Sequence, residues 1–361
     1  MLKKIKQLTL MAAKATGLFD VVQKSSWRRE RLLIIAYHGI SIEDEHLWDP
    51  DLFMAPGIFR QRMEMLSERG CTVLPLGEAL DRLYAGDLPP NSVALTFDDG
   101  FYDFYQQAWP ILKEFNFPAT LYLTTYHVEN NRPVKDAMFS YMLWKARDRR
   151  FELKPAIGIE GVFDLSNGDE RRRALETLIS FVRQEKVSLE GKREISRGIA
   201  GQLGIDYDIL LEKRILNLLN PTEVRRLAEE GIDIQLHTHR HQTPLNRELF
   251  YREITENRNL IEKMTGRRAT HFCYPSGIFD EAFFPWLEDL GVVSATTCDP
   301  GFSSRESNRM QLPRLVDTMP LSGIEFEGWL TGIAAAMPRR HSTYNIGVLE
   351  QEIRPSVSVH N

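Results

Sequence analysis

From about residue 31 the chain alternates short β-type runs with helical stretches, and that alternation constrains its fold more than any other feature. Strands are expected at 32–38, 72–75, 93–98, 119–124, 232–237, 270–274 and 292–297. Helices are expected between them at 57–69, 77–84, 102–115, 221–230, 245–264 and 281–289. Such an order predicts an α/β fold with a parallel sheet, open or closed. The parity of side chains along the strands separates these two options. One face of the third strand carries Val93, Leu95 and Phe97, and the other carries Ala94, Thr96 and Asp98. The corresponding second faces elsewhere are Ile34, Ala36 and His38, then Asp233, Gln235 and His237. A sheet covered by helices on both sides would read apolar on both faces. A face that is small or polar and ends in an ionisable group suits a narrow barrel with chemistry at its C-terminal rim.

Three regions fall outside the rhythm. Residues 1–30 include an apolar series, Leu2, Ile5, Leu8 and Met11, ringed by Lys3, Lys4, Lys6 and Lys14. This is the pattern of a basic amphipathic helix able to touch an anionic membrane, and equally that of an ordinary surface helix. Its apolar core is too short for a signal peptide, so the expected location is cytoplasmic, with peripheral membrane contact through this helix. Residues 128–220 form a mostly helical insertion between the fourth and fifth strands, with helices expected at 136–146, 170–184 and 207–219; an insertion on a barrel rim can serve as a lid. Arg171–Arg173 read as a solvated helix face. Residues 321–361 carry no strong pattern and are expected as a C-terminal tail.

Charge and cysteine content narrow the function classes. Lys and Arg total 45 against 50 Asp and Glu, a formal net charge of −5, which argues against a nucleic-acid partner. Cys71, Cys273 and Cys298 are too few and too scattered for a disulfide framework and are expected as reduced thiols.

Three segments at predicted strand ends carry chemistry. Thr96-Phe97-Asp98-Asp99-Gly100 places adjacent carboxylates before a glycine turn, where they repel unless a cation or proton separates them. His237-Thr238-His239-Arg240-His241 brings three of the nine histidines into five residues. The helical zinc-protease pattern fails because Thr238 follows the first histidine. Two imidazoles, His237 and His241, with one carboxylate would instead make a three-ligand metal site with an open position; His239 points elsewhere. Phe272-Cys273-Tyr274-Pro275-Ser276-Gly277 forms a rigid turn whose backbone N–H suits an oxyanion donor.

Taken together, these segments resemble the polysaccharide deacetylases, the carbohydrate-esterase group built on the NodB-homology domain. Thr96–Gly100 looks like the first family motif and His237–His241 like the second. Phe272–Gly277 is similar to the third, and Ala36-Tyr37-His38-Gly39-Ile40 to the Tyr-His segment of many members. The resemblance covers about residues 31–320. It implies a distorted (β/α) barrel of about seven parallel strands and a divalent metal, usually zinc. It also implies Asp99, His237 and His241 as metal ligands, Asp98 as general base and the Ser276 N–H as oxyanion donor.

The chain departs from the family in two places. Cys273 stands where the third motif often has Arg, and the late Leu-x-His motif is replaced by Leu312-Pro313-Arg314-Leu315-Val316. Arg314 either orients Asp98 or is a structural ion-pair partner. His38, on the inward parity of the first strand, is the candidate acid. His271, at the start of its strand, is a weaker one, and Asp299 reads as turn chemistry. The expected activity is metal-dependent removal of N-acetyl groups from amino sugars of a polysaccharide or glycan precursor, which would be the partner. The alternatives are a sugar deformylase or cyclic amidase using the same site, or a glycan-binding protein on a silent scaffold.

Overall fold

A computed structural model describes residues 2–128, 133–153, 161–184 and 189–337. Within the described residues the chain divides into two compact units, one holding those up to 128 and from 219 to 337, the other those from 133 to 218.

The first unit is built on eight parallel strands: β1 (Leu33–Tyr37), β2 (Thr72–Val73), β3 (Ser92–Phe97), β4 (Thr120–Leu123), β5 (Asp233–Leu236), β6 (His271–Cys273), β7 (Ser294–Thr296) and β8 (Leu315–Val316). Seven follow the order β7-β6-β5-β4-β3-β1-β8, and β2 pairs with β3 off this path. The two ends of the path meet just ahead of β8. Thr296 bridges Leu312 in parallel, the Thr297 N–H donates to the Leu312 carbonyl at 2.9 Å, and the Leu312 N–H donates to the Ala295 carbonyl at 2.9 Å. The sheet is thus the expected distorted barrel.

Side-chain parity divides the strands as the sequence requires. On the outer face, Tyr37 and Phe97 pack against Phe59 of helix Pro56–Glu68, and Phe97 against Phe104. On the other face, Ile34, Ala94, Tyr122, Cys273 and Leu312 belong to one buried cluster, joined by Leu76, Ala79, Leu80 and Leu83 of helix Leu76–Ala85. Burying each leucine or isoleucine of this cluster contributes about 1.5–3 kcal/mol. Because β8 pairs with β1 as Ile35↔Leu315, Arg314 falls on the inward parity beside Ile34. The small Ala36 and Ala94 leave the interior room for its long side chain.

The first helices and the segment after β8 also belong to this unit. Helix α1 (Leu2–Ala15) continues into α2 (Leu18–Gln23). The stretch expected as a tail opens with a buried helix instead. This helix, Gly323–Thr331, is capped by a reciprocal Ser322–Glu325 box and buries Phe326, Trp329 and Leu330. A single apolar helix without a strand partner carries no alternation for the sequence to reveal. Residues 338–361 of the expected tail lie outside the described residues.

The second unit contains helices Lys135–Lys145, Gly168–Gln184, Leu189–Gln202 and Tyr207–Glu212. It also holds an antiparallel hairpin pairing Arg150–Leu153 with Gly161–Asp164, which was not expected. The helix expected to reach 219 ends at Glu212, since Arg214 and Leu216 take positive φ angles and break the helical path. Arg172 and Arg173 lie on an exposed helix face opposite Asp169 and Glu170, as expected of solvated charges.

Candidate active site

Every candidate with assigned chemistry follows or precedes a barrel strand. His38 follows β1, Asp98 and Asp99 follow β3, His237–His241 follow β5, Ser276 lies beyond β6, and Arg314 immediately precedes β8. Apart from Ser276, which sits in the short turn Pro275–Gly277, they form two groups that meet at the Asp98–Asp99 peptide.

The first group is centred on Asp99. Its Oδ1 lies 3.3 Å from His237 Nε2 and 3.2 Å from His241 Nε2, and the two rings stand edge to face with centroids 4.8 Å apart. His237 is buried, and its Nδ1 lies 2.9 Å from the Cys273 carbonyl. A carbonyl only accepts, so Nδ1 carries the proton and Nε2 is the atom turned toward Asp99. Burial lowers the His237 pKa, but the two aspartates outweigh it and raise it, favouring a positive charge between Nε2 and Asp99. The backbone N–H of His237 donates to Asn257 Oδ1 at 3.0 Å, while Asn257 Nδ2 donates to the Leu123 carbonyl at 2.9 Å and to Thr125 Oγ1 at 3.0 Å. Asn257 is wholly buried on helix α3 (Arg247–Thr265) and ties the loops after β4 and β5 together.

This donor set fits a divalent cation. Two imidazole nitrogens and one carboxylate oxygen converge within 4.8 Å of one another. A lone pair aimed at a carboxylate is repulsive unless a proton or a metal lies between them. Burial opposes ionisation of Asp99, but the two histidines hold its carboxyl well below the usual range. Burial pushes His241 down toward neutral imidazole, the form that binds metals.

The second group is centred on Asp98. Arg314, with no exposed surface, grips both carboxylate oxygens, with Nη1 2.8 Å from Oδ1 and Nη2 2.7 Å from Oδ2. Arg314 also donates to the Thr297 carbonyl at 2.9 Å and to Thr96 Oγ1 at 3.1 Å. Burial raises the pKa of Asp98, and the adjacent guanidinium overcomes it, taking the carboxyl down to about 2. His38 Nε2 stands 3.7 Å from Asp98 Oδ2. Cys273 Sγ lies 3.0 Å from Arg314 Nη2 and 3.5 Å from Asp98 Oδ2, and burial pushes this thiol up, so it stays protonated. Asp98, His237 and Cys273 also cluster closely enough to hold an ion. With both Asp98 oxygens bound by a guanidinium, a cation there would face a fixed positive charge. The Asp99 set is the better site.

Backbone strain concentrates here. Among the described residues, eight non-glycine residues have positive φ, and four of them are Asp99, Thr238, His241 and Ser276. Such conformations cost about 1–3 kcal/mol each and persist where surrounding structure enforces them, typically at functional sites.

The remaining candidates lie elsewhere. His239 is turned away, with Nδ1 2.9 Å from Thr125 Oγ1. His271 sits at the start of β6, its Nδ1 2.8 Å from Ser294 Oγ. Asp299 is held in a turn, its N–H donating to Thr297 Oγ1 and its carbonyl accepting from the Arg314 N–H. The three cysteines are free thiols. Sequence reasoning missed Asn257. Its signal is a polar residue at helical spacing from Phe250, Ile254, Ile261 and Met264 on the buried face, a face that also carries Glu253 and Arg258.

The fold has relatives. The Streptococcus pyogenes deacetylase PplD, solved with acetate, superposes with a TM-score of 0.53 over 81% of this chain and 94% of its own, at 18% identity. A family model described as polysaccharide deacetylase matches residues 85–154 and 191–295, a span that takes in both aspartates and both histidines. The chain belongs to the polysaccharide deacetylase family. YxkH of Bacillus subtilis, which carries a polysaccharide deacetylase name, is 20% identical over 303 residues, 83% of this chain and 76% of that protein. The poly-β-1,6-N-acetyl-D-glucosamine N-deacetylase of Escherichia coli K12 is 28% identical over 101 residues, which span 28% of this chain and only 15% of the enzyme.

Proposed function

We propose that the protein is a metal-dependent hydrolase that removes N-acetyl groups from amino sugars of a polysaccharide or glycan precursor. The observation that carries this reading is the contrast at one peptide bond: Asp99 faces two imidazoles, while Asp98 beside it is held ionised by a buried arginine. Asp99, His237 and His241 would hold the metal, with zinc best suited to two imidazoles and one carboxylate. The bound ion would supply what these side chains lack, an acidified water and a Lewis acid for the acyl oxygen. Asp98 takes the proton of the attacking water, and Arg314 keeps its oxygens in position. The Ser276 N–H donates to the developing oxyanion, an interaction worth about 10²–10³ in rate where such a donor is well placed. His38, whose Nε2 lies 3.7 Å from Asp98 Oδ2, gives a proton to the departing sugar nitrogen. The N-deacetylase names among the relatives support the N-acetyl glycan as substrate.

The test is acetate release from β-1,6-linked N-acetylglucosamine oligomers by the zinc-loaded chain, abolished by chelation and restored by zinc. A zinc-loaded protein that binds the oligomer and releases no acetate would overturn the hydrolase reading and leave a binding protein on this scaffold.

A further inference from the structure

Helix α1 is mounted with its polar side inward. Leu10 is its only apolar side chain that is fully buried among the described residues, against helix α4 (Gly323–Thr331). The rest of the contact is polar: Lys14 pairs with Glu327 at 2.8 Å, Lys6 with Glu325 at 3.5 Å, and Gln7 Nε2 donates to Glu325 at 3.2 Å. The opposite side presents Ile5, Leu8 and Met11, which are 53%, 65% and 53% exposed. The stripe continues onto α2 with Leu18 and Val21, 44% and 67% exposed. An ordinary surface helix turns its apolar stripe toward the protein, whereas this one leaves most of the stripe exposed and meets the protein through Leu10 and these polar contacts.

We propose that the exposed face of α1 and α2 docks onto an anionic lipid bilayer surface. Charge argues for this occupant. Residues 1–24 contain five lysines and one aspartate; Lys6 and Lys14 are paired with glutamates of α4, so the positive charge presented beside the apolar stripe is that of Lys4 and Lys24. Lys4 and Lys24 are exposed on the same segment. Apolar side chains entering the headgroup boundary with lysines around them is how interfacial helices bind. A second copy of the chain is a poorer occupant, because a two-fold contact would set these lysines against one another. No described helix is long and apolar enough to cross a membrane, so the contact is peripheral. Lys3, in the first turn of α1, donates to the Pro320 carbonyl at 2.7 Å in the loop leaving β8, at the end of the barrel where the site lies. Docking would bring the rim toward glycan held at the membrane.

The inference does not depend on the deacetylase reading, and its test needs no turnover. The full chain is sedimented with vesicles of mixed phosphatidylglycerol and phosphatidylcholine, and with phosphatidylcholine alone. Wild type is expected to pellet with the anionic vesicles and to be released by salt. The Ile5→Gln/Leu8→Gln/Met11→Gln variant, which keeps good helix formers on the exposed face, should bind at least about tenfold more weakly. Its acetate release from a soluble oligomer should match wild type. Lys4→Gln/Lys24→Gln should lose part of the preference for anionic lipid. Equal binding by wild type and the triple variant, or no binding at low salt, would overturn the proposal. So would a dimer of wild type that the triple variant converts to monomer, since the face would then belong to a second copy.

Discussion

Asp98 and Asp99 are neighbours at the end of one strand, yet one is held by a guanidinium inside the barrel and the other by two imidazoles at its rim. Asp98 has extended neighbours behind it and lies on the inward parity of β3. Asp99 reaches its partners only because its backbone enters the left-handed region, at φ +69°. One peptide unit therefore sends two identical side chains into different chemistry. Arg314 satisfies both oxygens of the first, and the second keeps an oxygen that only a cation or protons can satisfy. The pair illustrates how like charges coexist at a site: each is assigned its own counter-charge.

The contrast can be broken from either side. The largest stability effect should come from Arg314→Met. It leaves Asp98 buried without a partner, and chemical denaturation should show a loss of about 3–5 kcal/mol. Combining it with Asp98→Asn should restore part of that loss, because the stranded charge is gone. Next in size is His38→Gln, expected to lower kcat by about 10² with metal content unchanged, read from acetate release beside elemental analysis. A variant with wild-type kcat would remove His38 as the acid. On the Asp99 side, Asn257→Ala strips the His237 N–H and the Leu123 carbonyl of their partner and loosens the loop carrying one imidazole. Zinc titration should report an affinity about 10–100-fold weaker. Cys273→Ser should matter least, within about 1 kcal/mol and with activity retained, because the hydroxyl can replace the thiol beside Arg314 and Asp98.

Much of this was legible in the sequence. The seven expected strand positions match β1–β7, because parallel strands and their covering helices leave alternating patterns of recognisable length. The two-histidine, two-aspartate pattern pointed to residues that the fold does bring together. What escaped detection has physical causes. β8 is two residues long and leaves no periodic trace, so the partnership of Arg314 with Asp98 could be posed as a choice but not resolved. Helix 102–115 was expected as one piece, but its first part, Phe104–Ala108, is wound as a π-helix, a local change of pitch that composition does not encode. The second unit's hairpin is flanked by polar residues that read as surface helix. In α1 the periodicity was visible, but which face would meet the protein was set by Glu325 and Glu327, more than three hundred residues away.

The central claim is that the two aspartates divide the work, Asp99 holding the ion and Asp98 moving the proton. The most direct measurement sets Asp98→Asn beside Asp99→Asn, with zinc per chain and acetate release read on the same samples. Asp98→Asn should keep about one zinc per chain and lose turnover by about 10²–10⁴, whereas Asp99→Asn should lose the zinc itself. Zinc lost equally from both variants, or turnover surviving in Asp98→Asn, would contradict the account.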